Sequence, residues 1–391
     1  MKIAFFCDAY QPTRSGVAVS VDTTAQELRA RGHHVTIFAP RYKAHSEIEP
    51  DVVRFPAFHW FRARDFPVAY PLLPRASLFA GVRFRREQFD IVHSHSPFTI
   101  GVLGARWARS NGIPIVFTFH TLYHRYLHYV PAPHAWTRSY VVWWVRHYCY
   151  LCNHVIAPSR PVAQIVARLQ PRVPCSVLPT GIDIARFASA SSSQRDQTRQ
   201  RLGIEPDEVV LLYVGRIVLE KNLVFLLRSL APLLEGKRDA PKVRLVLVGG
   251  GHALEPMRDL TVQLNIAEKV IFTDFVAPSS TLDYYAAADT FVFASRTETQ
   301  GVSIAEALAA GLPCVVVGAM GAAEAVTDGV DGIIVPPSEE QFRHAVESLV
   351  KDAGLRRSMS QAARCKAPLL SREHCVDELL QLYCSLMRVK K

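Results

Sequence analysis

The chain reads as an α/β protein made of two doubly wound, Rossmann-like parallel domains, and three observations predict this. Short β-branched or aromatic runs alternate with longer stretches of helical period along the whole sequence, the pattern of a parallel sheet covered on both faces. At 391 residues the chain exceeds the size at which a single core stops growing, so two domains are expected. Glycine turns at Gly215 and Gly249-Gly250-Gly251 directly follow apolar runs, Gly16 lies in a turn after the first run, and ligands of such sheets gather outside the carboxyl ends of the strands.

Taken in order, the first half predicts strands at Ile3 to Cys7, Val35 to Ala39, Val52 to Phe55, Ile91 to Ser94, Ile115 to Phe119, Val155 to Ala157 and Cys175 to Leu178. Helices are expected near 19 to 31, 99 to 111, 134 to 151 and 159 to 169. Ser189 to Gln200 is rich in Ser, Gln and Arg with no apolar period, and is expected as a linker or solvated loop. A second series of strands then runs through Val209 to Val214, Arg244 to Val248, Val270 to Thr273, Thr290 to Ala294, Cys314 to Val317 and Gly332 to Val335. Its helices are expected near 221 to 235, 254 to 266, 280 to 287, 302 to 310, 322 to 327 and 339 to 350. The domains expected are residues 1–185 and 186–370, facing each other across a cleft. A last helical stretch in 371–391, Glu373 to Met387, has room to cross back to the first.

Composition is globular, with 49% hydrophobic and 20% charged residues and the 25 prolines scattered. The opening Met1 to Cys7 is too short and too quickly polar for a signal peptide, and no apolar run approaches a membrane span, so a cytoplasmic protein is expected. The eight cysteines lie mostly in apolar surroundings; Cys149 and Cys152 form C-x-x-C inside an aromatic helical run with no second pair at zinc spacing. Packing is their expected role. The formal charge of +10 is uneven: residues 1 to 180 carry net +12 and residues 181 to 391 net −2. From Arg54 to Arg86 seven arginines meet only Asp65 and interleave with Phe55, Phe58, Trp60, Phe61, Phe66, Tyr70, Phe79 and Phe84. Arginine with aromatics suits the headgroup layer of an anionic membrane surface. Plain cover for the sheet and contact with a nucleic-acid backbone are the other readings, the last disfavoured for want of a nucleic-acid fold.

The chemistry concentrates in the second half. Gly215-Arg216 closes a strand and Lys221-Asn222 opens the next helix, so two fixed cations converge where a helix start already favours anions. They suit a diphosphate and the charge that grows as it departs. The competing reading is a surface pair bridging nearby carboxylates, Glu220 first. Further on, Glu298 lies on the loop after a strand and Glu306 just inside the following helix, with the main chain of Gln300, Gly301, Val302 and Ser303 between them. Carboxylates are natural acceptors for vicinal hydroxyls; Glu306 is assigned to a ribose and Glu298 to a sugar. Gly249 and Gly250 belong to a glycine turn that lacks the acidic residue of a nicotinamide site, and are read as a passage for the backbone beside the ligand. In the first half, Gly16 sits in a turn able to overhang the ligand, and His120 at a strand end can meet a sugar hydroxyl. Tyr123 and Tyr126, with Tyr129, form an aromatic acceptor rim. The nearby His124 and His128 lack a third ligand, so no metal is expected. The helix from His134 to Cys152 is read either as core cover or as part of a lipid-facing surface.

These residues resemble the retaining GT-B-fold glycosyltransferases of family four. The marks are Gly215-Arg216 followed by Lys221-Asn222, and the two glutamates separated by seven residues; the similarity runs from Asp8 through the final helix. The resemblance implies that Arg216 and Lys221 bind the donor pyrophosphate, Glu298 contacts the transferred sugar and Glu306 holds the ribose. It places Gly16 under the diphosphate and gives His120 the 6-hydroxyl of the hexose. It also implies retention of configuration by front-face attack without a metal or other cofactor. No opposed pair of carboxylates of the kind a glycosidase needs is evident. A narrower resemblance, in Phe119 to Pro131, is to diacylglycerol α-glucosyltransferases, although His124-Arg125 replaces the usual acidic residue between the tyrosines. The expectation is therefore transfer of a hexose, glucose from UDP-glucose, to a lipid acceptor such as 1,2-diacylglycerol at the inner face of the cell membrane. Alternatives are a soluble sugar, sugar-phosphate or phosphatidylinositol acceptor, or a non-catalytic nucleotide-sugar-binding protein.

Overall fold

The computed structural model describes residues 1–13, 15–42, 50–58, 68–70, 74–123, 134–189, 191–236 and 241–388, with the main chain alone at 74–77 and 134–135. Two compact units result: Met1–Gly181 together with Arg372–Lys391, and Ile182–Ser371.

The first unit contains β1 (Lys2–Phe6), α1 (Gly16–Ala30), β2 (His34–Pro40), β3 (Val52–Phe55), β4 (Ala57–Phe58), β5 (Val68–Ala69), α2 (Pro74–Glu87), β6 (Ile91–Ser94), α3 (Thr99–Ser110), β7 (Ile115–Thr118), α4 (His134–Leu151), β8 (His154–Ala157), α5 (Arg160–Leu169) and β9 (Cys175–Val177). Seven strands run parallel in the order β3-β2-β1-β6-β7-β8-β9, while β4 and β5 form a separate antiparallel pair. The central strands are buried on both sides because helices cover both faces. Ile3 and Phe5 of β1 share a cluster with Val21, Ala25 and Leu28 of α1 and with Cys375, Val376, Leu379 and Tyr383 of the last helix. Phe6 points the other way, stacking on Phe38 at 4.4 Å and meeting Trp107 of α3 edge-on. Strand alternation thus divides β1 between two cores.

The second unit contains α6 (Ile184–Ala188), α7 (Ser192–Arg201), β10 (Val209–Val214), α8 (Leu223–Glu235), β11 (Val243–Val248), α9 (Leu254–Gln263), β12 (Val270–Phe272), α10 (Thr281–Ala287), β13 (Thr290–Phe293), α11 (Val302–Ala309), β14 (Cys314–Val317), α12 (Met320–Ala325), β15 (Gly332–Val335), α13 (Glu339–Lys351) and α14 (Ala353–Lys366). Six parallel strands take the order β12-β11-β10-β13-β14-β15. The order reverses between β10 and β13, the position where a doubly wound sheet opens toward a ligand. The last helix, α15 (Arg372–Arg388), returns to the first unit, where Arg31 bonds the Asp377 carboxylate and the Glu373 carbonyl.

One expectation is corrected here. Most of Ser189 to Gln200 is neither linker nor loop, because α7 occupies it from Ser192 onward. Ser191 caps the helix by accepting from the Gln194 N–H at 3.1 Å. Arg195 and Arg199, four residues apart on one face, reach the two oxygens of Asp289 at 2.7 and 2.6 Å. Buried Arg199 also donates to the carbonyls of Ala287 and Glu208. The helix is held by a charged stripe, which an apolar period cannot reveal. Helices α2 and α14 also emerge only in the structure.

Candidate functional site

In the second unit the carboxyl ends of β10 and β13 carry the predicted cations and carboxylates. Beyond β10, Gly215 and Arg216 turn the chain, and the Tyr213 hydroxyl donates to the Arg216 carbonyl at 2.9 Å. Lys221 closes a short 3-10 turn, Leu219–Lys221; Asn222 follows in the left-handed region and donates its side-chain amide to the Ala294 carbonyl, 3.1 Å away. That bond ties the turn before α8 to the end of β13. The Lys221 ammonium meets Glu298 Oε2 at 2.5 Å and lies 5.5 Å from the Phe293 ring centre. The competing reading named Glu220 first as a partner for these cations; Lys221 is bound instead to a carboxylate 77 positions away. Burial pushes the Glu298 carboxyl upward, yet attraction and a hydrogen bond from Lys221, the Gly301 N–H and the charge of Arg216 together hold it below its usual value.

Gly301 adopts φ 88°, and a Cβ there would come within 2.9 Å of Ile304 Cδ1, so glycine is required at this cap. Its N–H donates to Glu298 Oε1 at 3.4 Å. The N–H groups of Val302 and Ser303 belong to the first turn of α11, which has no intrahelical acceptors for them. The Gln300 main chain packs close to Gly321.

Glu306, one turn into α11, receives a hydrogen bond from the Tyr285 hydroxyl at 2.7 Å. Burial raises its carboxyl to about 7, with the Tyr285 bond and the charge of Arg186 acting in the opposite sense. Tyr285 and Arg186 were not foreseen. Only the fold brings α10 and α6 against α11.

Gly249 and Gly250 are also in this region, but the close approach they permit is between protein segments. A Cβ on Gly249 would lie 2.1 Å from the Gly215 carbonyl oxygen, and one on Gly250 would strike the Phe275 ring. Gly215 N–H donates to Val248, and Ile217 N–H to Gly250. The glycine turn therefore seats the loop that carries Arg216.

The first unit has its own order reversal, between β1 and β6. Asp8, just past β1, receives Ser96 Oγ, Thr99 Oγ1 and the Ile100 N–H at 2.8, 2.7 and 2.9 Å, thereby capping α3 from outside. Gly16 starts α1 behind the Ser15 cap, and a Cβ on it would meet nothing within 4 Å. Beyond β7, His120 lies 3.0 Å from His95, Nε2 to Nδ1. His95 in turn stacks on His93 at 4.1 Å, and His93 bonds the Tyr383 hydroxyl and Thr118 Oγ1, both at 2.6 Å. Burial lowers all three imidazoles, His93 to about 3 and His120 to about 4, keeping them neutral near pH 7. His93 and His95 were missed, although the H-x-H spacing at a strand end was visible. Tyr123 packs edge-on against Phe98 at 5.0 Å and is partly buried. Tyr126, Tyr129, His124 and His128 lie outside the described residues. Cys149 and Cys152 are buried free thiols, and Cys152 Sγ faces the Tyr148 carbonyl. Among the described residues no helix is long and apolar enough to cross a membrane.

Two cationic residues and two carboxylates at the switch point of a Rossmann-like sheet, paired with a second such unit, define a glycosyltransferase of the GT-B fold. Comparison with known proteins supports that class. Residues 14–186 match the model of Glycosyltransferase Family 4, and residues 194–366 that of Glycosyl transferases group 1. An alpha-monoglucosyldiacylglycerol synthase from Streptococcus pneumoniae is 36% identical over 318 residues, covering 81% of this chain and 70% of the relative. Another of the same name from Acholeplasma laidlawii is 33% identical over 356 residues, covering 88% and 87%. The solved structure of Anabaena HepE in complex with UDP superposes with a TM-score of 0.78 at 19% identity, covering 98% of this chain and 100% of that one. The chain belongs to the family 4 glycosyltransferases.

Proposed function

We propose that the protein transfers a hexose, glucose from UDP-glucose, to a hydroxyl of 1,2-diacylglycerol or a related lipid, with retention to give an α-glycosidic bond. The observation that carries this reading is the Lys221–Glu298 pair beside Arg216 at the carboxyl ends of β10 and β13. In the proposed mechanism the diphosphate draws Lys221 partly away from Glu298, and Arg216 and Lys221 neutralise its phosphates. Freed of part of its partner, Glu298 accepts from hydroxyls of the sugar, and Glu306 accepts from the ribose. The acceptor oxygen attacks the anomeric carbon on the face from which the diphosphate leaves. As the anomeric C–O bond to UDP breaks, the acceptor proton passes to the departing phosphate oxygen. The two cations stabilise the charge that develops there. His120 offers its imidazole to a hydroxyl of the hexose. In this reading these fixed cations carry the role that a divalent ion would otherwise fill.

The lipid acceptor is supported by the names of the relatives above, and an anionic membrane surface by the charge and aromatic residues of the first unit. Between Asp90 and Asp183 there are eight arginines and no carboxylate. On α4, Trp136, Tyr140, Trp143 and Tyr150 recur at helical spacing and are all exposed, Trp136 by 84%, with Arg138 and Arg146 exposed among them. On α2, Leu78 and Phe79 are exposed beside Arg85 and Arg86. Aromatic rings with arginine favour an anionic headgroup layer, which supports the peripheral membrane reading. Helix α4 also covers the core, since Val145, Tyr148 and Cys149 are buried on its other side. The test is incubation of the purified protein with UDP-glucose, UDP-galactose and GDP-mannose and with vesicles containing diacylglycerol. An α-glucosyl lipid is expected by mass and anomeric coupling; transfer only to water-soluble acceptors would overturn the lipid assignment.

A further inference from the structure

Lys221 is held at its side chain by Glu298, and its main chain is held by a second set of bonds to the same loop. The carbonyl of Glu220, the residue before it, accepts from Ser295 Oγ at 3.2 Å and from Thr297 Oγ1 at 3.4 Å. The side-chain amide of Asn222, the residue after it, donates to the Ala294 carbonyl at 3.1 Å. Both flanks of Lys221 are thus tied to residues 294–297, the stretch between the end of β13 and Glu298. Asn222 stands at the N-cap of α8, where an asparagine ordinarily accepts from the first turn of its own helix. It makes no such bond here. At φ 58° and ψ 38° it takes a left-handed conformation that asparagine tolerates better than most residues, and its amide turns to the end of β13 instead. Ser295 is fully buried, and its hydroxyl donates in the opposite direction, from loop to turn.

We propose that Asn222 and Ser295 are positioning residues that fix Lys221 through its main chain, so that its ammonium can pass from Glu298 to a diphosphate while the turn stays in place. This rests on the reading in which Lys221 holds the diphosphate. Before the ligand arrives the ammonium is on Glu298 at 2.5 Å, so the side-chain and main-chain ties act together. A diphosphate competes for the ammonium and weakens the first tie. The second persists, because it runs between neutral groups that an anion does not displace. A turn anchored by the ion pair alone would come loose as it presented the cation, and ordering it again would cost affinity. Neither Asn222 nor Ser295 has to touch the ligand.

The test without substrate is the titration of Glu298, followed by the carbon-13 signal of its carboxyl in the full chain and assigned by its loss in Glu298→Gln. Burial raises that carboxyl, and attraction to Lys221 is the largest influence lowering it, so its titration reports where the ammonium sits. Ser295→Ala removes the bond to Glu220, and Asn222→Gly removes the amide while suiting the left-handed backbone. In each variant a turn free to drift should let the carboxyl titrate above its parent value. A carboxyl that titrates as in the parent overturns the proposal, and either variant decides alone if the other does not fold. No nucleotide is needed, so this result stands apart from the glycosyltransfer reading. UDP affinity, measured by calorimetry, should fall about fivefold in each variant, the worth of one neutral hydrogen bond and less than the loss of the ammonium itself. In a Lys221→Met background that further loss should vanish. Unchanged UDP affinity in the single variants, or losses that simply multiply with that of Lys221→Met, would mean that Asn222 and Ser295 do not act through Lys221.

Discussion

Replacing Lys221 with Met separates the structural from the binding role of the central ion pair. At 2.5 Å and an effective dielectric of about 20, the attraction between Lys221 and Glu298 is on the order of 7 kcal/mol before desolvation. Both side chains are less than one-fifth exposed, so removal of the ammonium leaves a largely buried carboxylate without its partner. Breaking such a pair costs about 3–5 kcal/mol. In the parent protein the Glu298 carboxyl is depressed, and the stability it contributes is present above the ordinary carboxylate value and lost as pH falls through its folded value. In Lys221→Met the largest lowering influence is gone while burial remains, the carboxyl moves up, and the deficit should be largest at pH 8 and shrink toward pH 5. Denaturant unfolding at the two pH values measures it. The double variant Lys221→Met/Glu298→Gln removes both charges and should recover most of the lost stability. UDP affinity, measured by calorimetry, should fall on the order of 10- to 100-fold in Lys221→Met and remain low in the double variant, because the lost contact is to phosphate. Recovery of UDP binding along with stability would refute the reasoning and make the pair purely structural.

Glu306→Gln should be more stable than the parent at pH 8, because a carboxyl raised from 4.5 to about 7 is a burden above pH 7 that fades as the native state takes up its proton. The gain is at most on the order of 3 kcal/mol at 1.36 kcal/mol per pH unit, and should disappear near pH 4.5; thermal scans across pH measure it. UDP affinity of the parent should weaken below pH 7 as Glu306 protonates, and the Gln variant should lose that dependence. Arg199→Ala should cost about 3 kcal/mol in denaturant unfolding with little change in UDP affinity, since its partners Asp289, Ala287 and Glu208 are scaffold groups. Exchange of Trp136 and Trp143 for Ser should weaken co-sedimentation with anionic vesicles on the order of tenfold or more, leaving UDP affinity unchanged.

The strands were legible because a buried parallel strand is an uninterrupted apolar run, as in Val209–Val214, and the turns because glycine follows such runs at Gly215 and Gly249. Helix α7 was not legible, since its packing face is Arg195 and Arg199 rather than leucines. In the site, the types and loops of Arg216, Lys221, Glu298 and Glu306 could be read from their positions after strands. Their partners could not. Lys221 meets Glu298 because β10 and β13 are neighbours in the sheet, and Glu306 meets Tyr285 because α10 packs beside α11's strand, β13. Likewise His95 and His120 follow adjacent strands β6 and β7, and the His-x-His spacing alone did not reveal that one addresses the other. The glycines of 249–251, read from sequence as a passage for the backbone beside the ligand, also pack against the protein's own loop at Gly215 to Ile217, a contact the sequence does not show.

The central claim is that a cationic pair in the second unit holds the donor diphosphate, and a crystal structure with UDP-glucose bound tests it most directly. The account predicts both phosphates within hydrogen-bond reach of Arg216 and Lys221, with the ribose on the Glu306 carboxylate. Phosphates bound away from those two side chains, with Lys221 still closed on Glu298, would contradict it.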